Sequence, residues 1–214
     1  MKKIVLFGDS ITDMGRWRDA DNHGMSFGMG YSLILKEKFI RNNINVELIN
    51  RGCSADSTTN LLQRLDNDVI ALKPDILTIL IGTNDVWHLM EGTEDHHGNS
   101  IEQFEKNYRQ ILQTVKQKLL KCKIILFLPF FLPLNQPERE DFWNHMKHIY
   151  KYADVVEKIA KEMNLESYRL QPLLNEAEKI YGTQEILADG IHPNVRGAII
   201  IADKFYEVIS KILN

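Results

Sequence analysis

Near-continuous apolar runs of strand length recur along the chain, and stretches of helical periodicity separate them. Ile76-Leu77-Thr78-Ile79-Leu80-Ile81 has no polar face to turn toward water. A strand of that kind is stable only when it is covered on both sides. Lys3–Phe7, Asn45–Ile49, Lys123–Leu128 and the shorter Glu166–Tyr168 repeat the pattern. Helical spacing lies between them. After Ser100, one face collects Ile101, Phe104, Tyr108, Ile111, Leu112, Val115 and Leu119. Ser100 with Gln103 three residues on reads as a capping box for that helix. Asp56–Leu72, Asp141–Met163 and Val195–Leu213 are three more expected helices. Alternating β and α segments predict a parallel sheet with helices on both faces. No linker or repeat interrupts them, so residues 1–214 are expected to form one domain.

In an open parallel sheet, ligands bind beyond the carboxyl ends of the strands. Three expected strands end there in small or polar clusters: Gly8-Asp9-Ser10, Asn50-Arg51-Gly52 and Gly82-Thr83-Asn84-Asp85. A fourth polar segment, Asp189-Gly190-Ile191-His192-Pro193, precedes the last helix. An alcohol nucleophile at neutral pH needs a base, and the base needs an orienting group. Ser10, His192 and Asp189 are the candidates for those roles. Acyl transfer also needs donors aimed at the developing oxyanion. The Ser10 amide, the unobstructed Gly52 amide and the Asn84 side chain are the candidates. The chain order Ser, Asp, His is that of α/β hydrolases, but the G-x-S-x-G elbow of that fold is missing.

Taken in order, Gly8-Asp9-Ser10-Ile11-Thr12, Asn50-Arg51-Gly52, Gly82-Thr83-Asn84-Asp85 and Asp189–Pro193 resemble the four signature blocks of the SGNH (GDSL-type) hydrolases. The resemblance spans nearly the whole chain. It implies a flavodoxin-like three-layer α/β/α sandwich with a five-stranded parallel sheet. It also implies esterase activity through Ser10, His192 and Asp189, with Ser10, Gly52 and Asn84 as the oxyanion hole. Gly8–Asp13, Asn84–Trp87 and Ala71–Asp75 look most like the carbohydrate acetylesterase branch, whose members deacetylate xylan or xylo-oligosaccharides. Two positions depart from the pattern. The second block usually continues Ser-Gly-x-Thr, whereas Cys53-Ser54-Ala55-Asp56-Ser57-Thr58 follows Gly52 here. His88 stands after Trp87, where arginine is common.

The expected substrate is a small-molecule or oligosaccharide ester, with Asp9, Trp17, Trp87 and His88 as candidate contacts. A lysophospholipase or thioesterase, or a non-catalytic carbohydrate-binding module, are the rival readings. No cofactor or metal is expected, because Glu94-Asp95-His96-His97 reads as a solvated loop and no second cluster has ligand spacing. A net charge of −3 offers no footprint for nucleic acid or anionic lipid. The apolar run after Met1-Lys2-Lys3 is short for a signal peptide, and nothing approaches the ~20 apolar residues that span a bilayer. A cytoplasmic location is expected. Cys53 and Cys122 form no disulfide or metal pattern, and Arg64 reads as a salt-bridge or surface residue. The apolar loop Phe130-Phe131-Leu132-Pro133 is expected to be exposed and to favour a homo-oligomer. Trp143, just after it, is expected in a lid or a subunit contact.

Overall fold

The computed structural model describes residues 1–18 and 24–213. Five parallel strands, β1 (Lys2–Gly8), β2 (Val46–Gly52), β3 (Ile76–Leu80), β4 (Lys123–Leu128) and β5 (Glu166–Arg169), form one sheet in the order β2-β1-β3-β4-β5. Every side chain of β3 is buried, as its unbroken apolar run requires. β5 at the edge is half-buried throughout and pairs with β4 alone, and Lys123 and Glu166 form an ion pair across that junction.

Ten helices among the described residues surround the sheet: α1 (Ser10–Asp13), α2 (Tyr31–Arg41), α3 (Thr58–Leu65), α4 (Thr83–Glu91), α5 (Ile101–Lys118), α6 (Glu140–Met146), α7 (Ile149–Met163), α8 (Gln171–Tyr181), α9 (Thr183–Ile186) and α10 (Val195–Leu213). α2 packs on α10, and α5 packs between α3 and α7. The first layer is keyed by Phe205 of α10, stacked 3.5 Å above Phe127 of β4 and 4.6 Å from Tyr31 of α2. The second is keyed by Phe104 of α5, 4.9 Å from Tyr152 of α7.

The expected elements survive with shifted ends. α3 starts at Thr58 rather than Asp56, and a π-helical turn over Asp66–Ile70 continues it. The expected helix Asp141–Met163 is two helices with a turn at Lys147 and His148, because α6 packs on α4 while α7 packs on α5. Ser100 caps α5 by accepting the Gln103 N–H, but Gln103 does not reach back; its amide donates to Asn107 at 2.6 Å. β2 runs three residues beyond the expected Ile49, so Asn50, Arg51 and Gly52 belong to the ladder.

Two expectations for the region after β4 are overturned. Phe130, Phe131 and Leu132 are buried, not exposed. Gln171 holds the Phe131 backbone through both its N–H and its C=O, at 3.1 and 2.8 Å, and Leu132 N–H donates to Gly190 O at 2.8 Å. This segment is core, and the argument for self-association that rested on it falls away. Trp143 is also buried, 5% exposed, with its ring against Gly190. It is packing beneath the Asp189–Pro193 loop rather than a lid.

Phe205→Ala removes the stacked ring between the sheet and two helices. It is expected to cost about 3–5 kcal/mol, read as a lowered midpoint in urea unfolding.

Candidate active site

Register sets the site. Gly8 pairs with Gly52 on one side and Leu80 on the other, so β1, β2 and β3 finish at one level. The chain leaves β1 toward β2 and later returns to β3 on the other flank, so β1 and β3 bound the crevice where such sheets bind ligands.

Asp9 follows β1 and caps α1, accepting the Ile11 N–H at 3.0 Å. That turn lifts Ser10 onto the rim. The Ser10 hydroxyl lies 2.8 Å from His192 Nε2, and His192 Nδ1 lies 2.7 Å from Asp189 Oδ2. The other Asp189 oxygen accepts the backbone N–H of His192 at 2.7 Å and of Ile191 at 3.0 Å. Burial works to raise the Asp189 carboxyl, but the hydrogen bonds from His192 and Ile191 outweigh it and hold it down at about 2. The hydrogen bond to Asp189 raises the His192 pKa; burial opposes it, and the charges of Asp189 and Asp9 add to it. A base so held keeps Nδ1 protonated toward the carboxylate and Nε2 free to accept from Ser10.

Asp9 is buried beneath this pair, and burial pushes its carboxyl up to about 7. It is a helix cap without access to the cleft. Asp85 is buried as well, pushed by burial up to about 6 against hydrogen bonds from Thr58 and Asn99. Those bonds, with Asn107 donating to Thr58 and Thr59, tie the start of α3 to α4 and α5.

The donors divide differently from expectation. Asn84 is buried at the start of α4 and lines the cleft, and one of its amide hydrogens goes to Asp56 O at 2.9 Å. The other is free for the cleft. Gly52 does not line the cleft, and its N–H donates to Asn50 Oδ1 at 2.8 Å. Asn50 is itself fixed by giving its side-chain amide to Thr12 O, Phe27 O and Ser32 Oγ. Gly52 is glycine for another reason. A Cβ there would lie 2.1 Å from Asp13 N, so only a bare backbone lets α1 pass over the end of β2.

The following loop presents a different amide. Cys53 N–H donates to Gly8 O, Ser54 N–H to Asp13 Oδ2 and Asp56 N–H to Cys53 O. Ala55 lies between them with φ of 67° and lines the cleft. Among the described residues its N–H meets no protein acceptor, and neither does that of Ser10. Ala55 thus brings an amide without a protein acceptor to the cleft that Ser10 and Asn84 also line, a placement the Gly52 expectation missed. The only sequence signal for it was position: Ala55 stands where the family has the glycine of Ser-Gly-x-Thr.

The cleft holds about 400 Å³, bounded by Ser10, Ser54, Ala55, Asn84, Trp87, His88, Glu91 and His192. Trp87 packs edge-on against Phe142, its ring 6.5 Å from that of His192, and its Nε1 donates to Glu91 at 2.7 Å. Glu91 in turn pairs with Arg139, which lies over the Phe142 ring. His88 is half-buried, its pKa lowered by burial and then by His96 and His97. Trp17 is 57% exposed and lies off the cleft. Among the described residues no three His, Cys, Asp or Glu side chains gather to hold a metal, and no helix is long and apolar enough to cross a membrane.

Residues 6–198 match the GDSL-like Lipase/Acylhydrolase family, and the chain belongs to it. It is a serine carboxylic ester hydrolase. It is 30% identical over 213 residues to an acetylxylan esterase of Geobacillus stearothermophilus, covering 97% of this chain and 94% of that protein. A crystal structure of that esterase superposes with a TM-score of 0.85 over the same shares, at 30% identity. A GDSL-like protein from Parabacteroides merdae gives 0.86 at 29% identity, covering all of this chain and 96% of its own. Variants of the Geobacillus esterase described as catalytic replace a serine, an aspartate and a histidine, the last two three positions apart.

The two rim positions respond oppositely to a methyl group. Gly52→Ala is expected to lose about 1–3 kcal/mol by overpacking. Ala55→Gly should change stability by less than about 1 kcal/mol, since relief at a positive φ offsets the freer unfolded chain. Thermal melts of the two variants check this.

Proposed function

We propose that the protein removes acetyl groups from xylo-oligosaccharides through an acyl-enzyme on Ser10. His192 takes the Ser10 proton as its oxygen attacks the carbonyl carbon, and Asp189 holds the imidazole and stabilises imidazolium. The oxyanion is received by the N–H groups of Ser10 and Ala55 and by the Asn84 side chain, with Ala55 in the place first expected of Gly52. His192 then gives its proton to the leaving sugar oxygen. Water, deprotonated by the same imidazole, attacks the acetyl-enzyme, releasing acetate and restoring Ser10.

The observation that carries this reading is the continuous chain Ser10–His192–Asp189 beside two amides with no protein acceptor. Ser10 and Ala55 are half-buried at the cleft, so their N–H groups, unclaimed by the protein, are accessible to an oxyanion formed there. The likeness to the Geobacillus acetylxylan esterase over nearly the whole of both chains supports the choice of acetylated sugar. Trp87 offers an apolar face, and Glu91 and His88 offer hydroxyl partners, along the same cleft as Ser10.

Ser10→Ala should abolish turnover of both p-nitrophenyl acetate and acetylated xylo-oligosaccharides, with kcat down on the order of 10⁶; retained turnover in the pure variant contradicts the reading. Asn84→Ala should cost about 10²–10³ in kcat, the loss of one oxyanion donor. Because the base must be neutral and Asp189 raises its pKa, kcat/KM should climb with pH through an inflection above about 6.5, the ordinary histidine value. Asp189→Asn should move that inflection down while cutting kcat about 10⁴-fold. A pH–rate profile of each protein reads both effects.

A further inference from the structure

Arg64 lies outside the cleft, yet its guanidinium meets two of the four segments that build it and the loop that follows the second. From α3 it reaches across the ends of β1 and β2. Its Nη2 donates to Gly8 O at 2.8 Å and its Nη1 to Arg51 O at 2.8 Å. Its Nε donates to Asp56 Oδ2 at 2.5 Å, and Nη1 also reaches Asp68 Oδ2 at 2.8 Å. The guanidinium Cζ lies over the Phe7 ring, 4.4 Å from its centroid. The side chain is 18% exposed and that of Asp56 6%, so these contacts are largely screened from water.

Two of these partners, Gly8 and Asp56, adjoin the proposed oxyanion donors. Gly8 O belongs to the residue two before Ser10 and also accepts the Cys53 N–H at 3.0 Å, which starts the loop that carries Ala55. Asp56 ends that loop, and its backbone carbonyl receives the Asn84 amide at 2.9 Å. The Ser10 amide, the Ala55 amide and the Asn84 side chain therefore all hang from groups that one planar cation holds together. We propose that Arg64 is a positioning residue that sets the mutual geometry of the oxyanion donors. The inference rests on the Ser10 reading above.

The chemistry favours arginine specifically. Two strand-end carbonyls and two carboxylates are spread over Nε, Nη1 and Nη2, and an ammonium, with three N–H groups on a single nitrogen, cannot reach all four. Arg64 does not line the cleft, so its effect must pass through the groups it holds rather than through a substrate contact of its own. A misplacement of donors by a fraction of an ångström to an ångström acts on the transition state, and about 10² in rate is its usual scale.

The test compares Arg64→Lys, Asp56→Asn and Asp68→Asn with p-nitrophenyl acetate as substrate. Arg64→Lys should lower kcat by about 10² and leave KM within about twofold, the signature of an interaction expressed only in the transition state. The affinity of a small alkylboronic acid, which forms a tetrahedral adduct on the serine, should fall by a similar factor. Asp56→Asn, a milder change in case the lysine variant does not fold, should lower kcat about tenfold, again at constant KM. Asp68→Asn removes the charge from an Arg64 partner that neither lines the cleft nor bonds a proposed donor, and it should leave kcat unchanged at whatever thermal stability it has. The inference is overturned by wild-type kcat in Arg64→Lys or, should that variant not fold, in Asp56→Asn. It is also overturned if Asp68→Asn loses as much kcat as Asp56→Asn. Turnover surviving in Ser10→Ala would instead remove the serine mechanism itself, so the two failures are distinguishable.

Discussion

The level finish of three parallel strands is the constraint on which the rest of this structure depends. Gly8 sits between Gly52 and Leu80 in the ladder, so the turns that follow β1, β2 and β3 emerge side by side at one height. A one-residue slip in either pairing would turn a strand's side chains to the other face and carry its turn away from its neighbours. The buried apolar side chains that cover both sides of the sheet fix that register. The energy that folds the core is therefore the same energy that brings Ser10, Ala55 and Asn84 together. The fourth segment, Asp189–Pro193, is brought to them by packing: Trp143 supports Gly190 from below, and Leu132 ties its backbone.

Much of this was legible in the sequence, and what was not has physical reasons. Strand runs such as Ile76–Leu80 announce themselves because burial on both faces leaves no room for polar residues. Ser10, Asp189 and His192 were legible because nucleophile, base and orienter demand particular residue types. The Phe130–Leu132 segment was misread because an apolar loop bounded by prolines resembles an exposed one until α8 and the Asp189 loop are known to cover it. α2 and α8 were not among the expected helices.

Gly52 and Ala55 show the limit of residue-type reasoning most clearly. A glycine reads as an amide open to a ligand, but openness depends on where the chain goes next. β2 extends through Gly52, which hands its N–H to Asn50. Its missing side chain serves the close passage of Asp13 instead. The left-handed turn that frees an amide comes three residues later and is occupied by an alanine. Arg64 was equally hidden: a lone basic residue on a helix has no motif, and only the convergence of two strand ends on it gives it a part in the site.

Trp87 and Glu91, the latter held by Arg139 from outside the cleft, put an apolar ring and a carboxylate side by side in its lining, a pairing suited to a small acyl ester of a hydroxylated alcohol. Everything in this account converges on one oxygen atom, that of Ser10. Fluorophosphonate labelling followed by peptide mapping tests it most directly. The account predicts a single adduct, on the peptide carrying Ser10, with ester turnover lost in proportion to labelling. An adduct elsewhere, or full turnover with Ser10 modified, would contradict it.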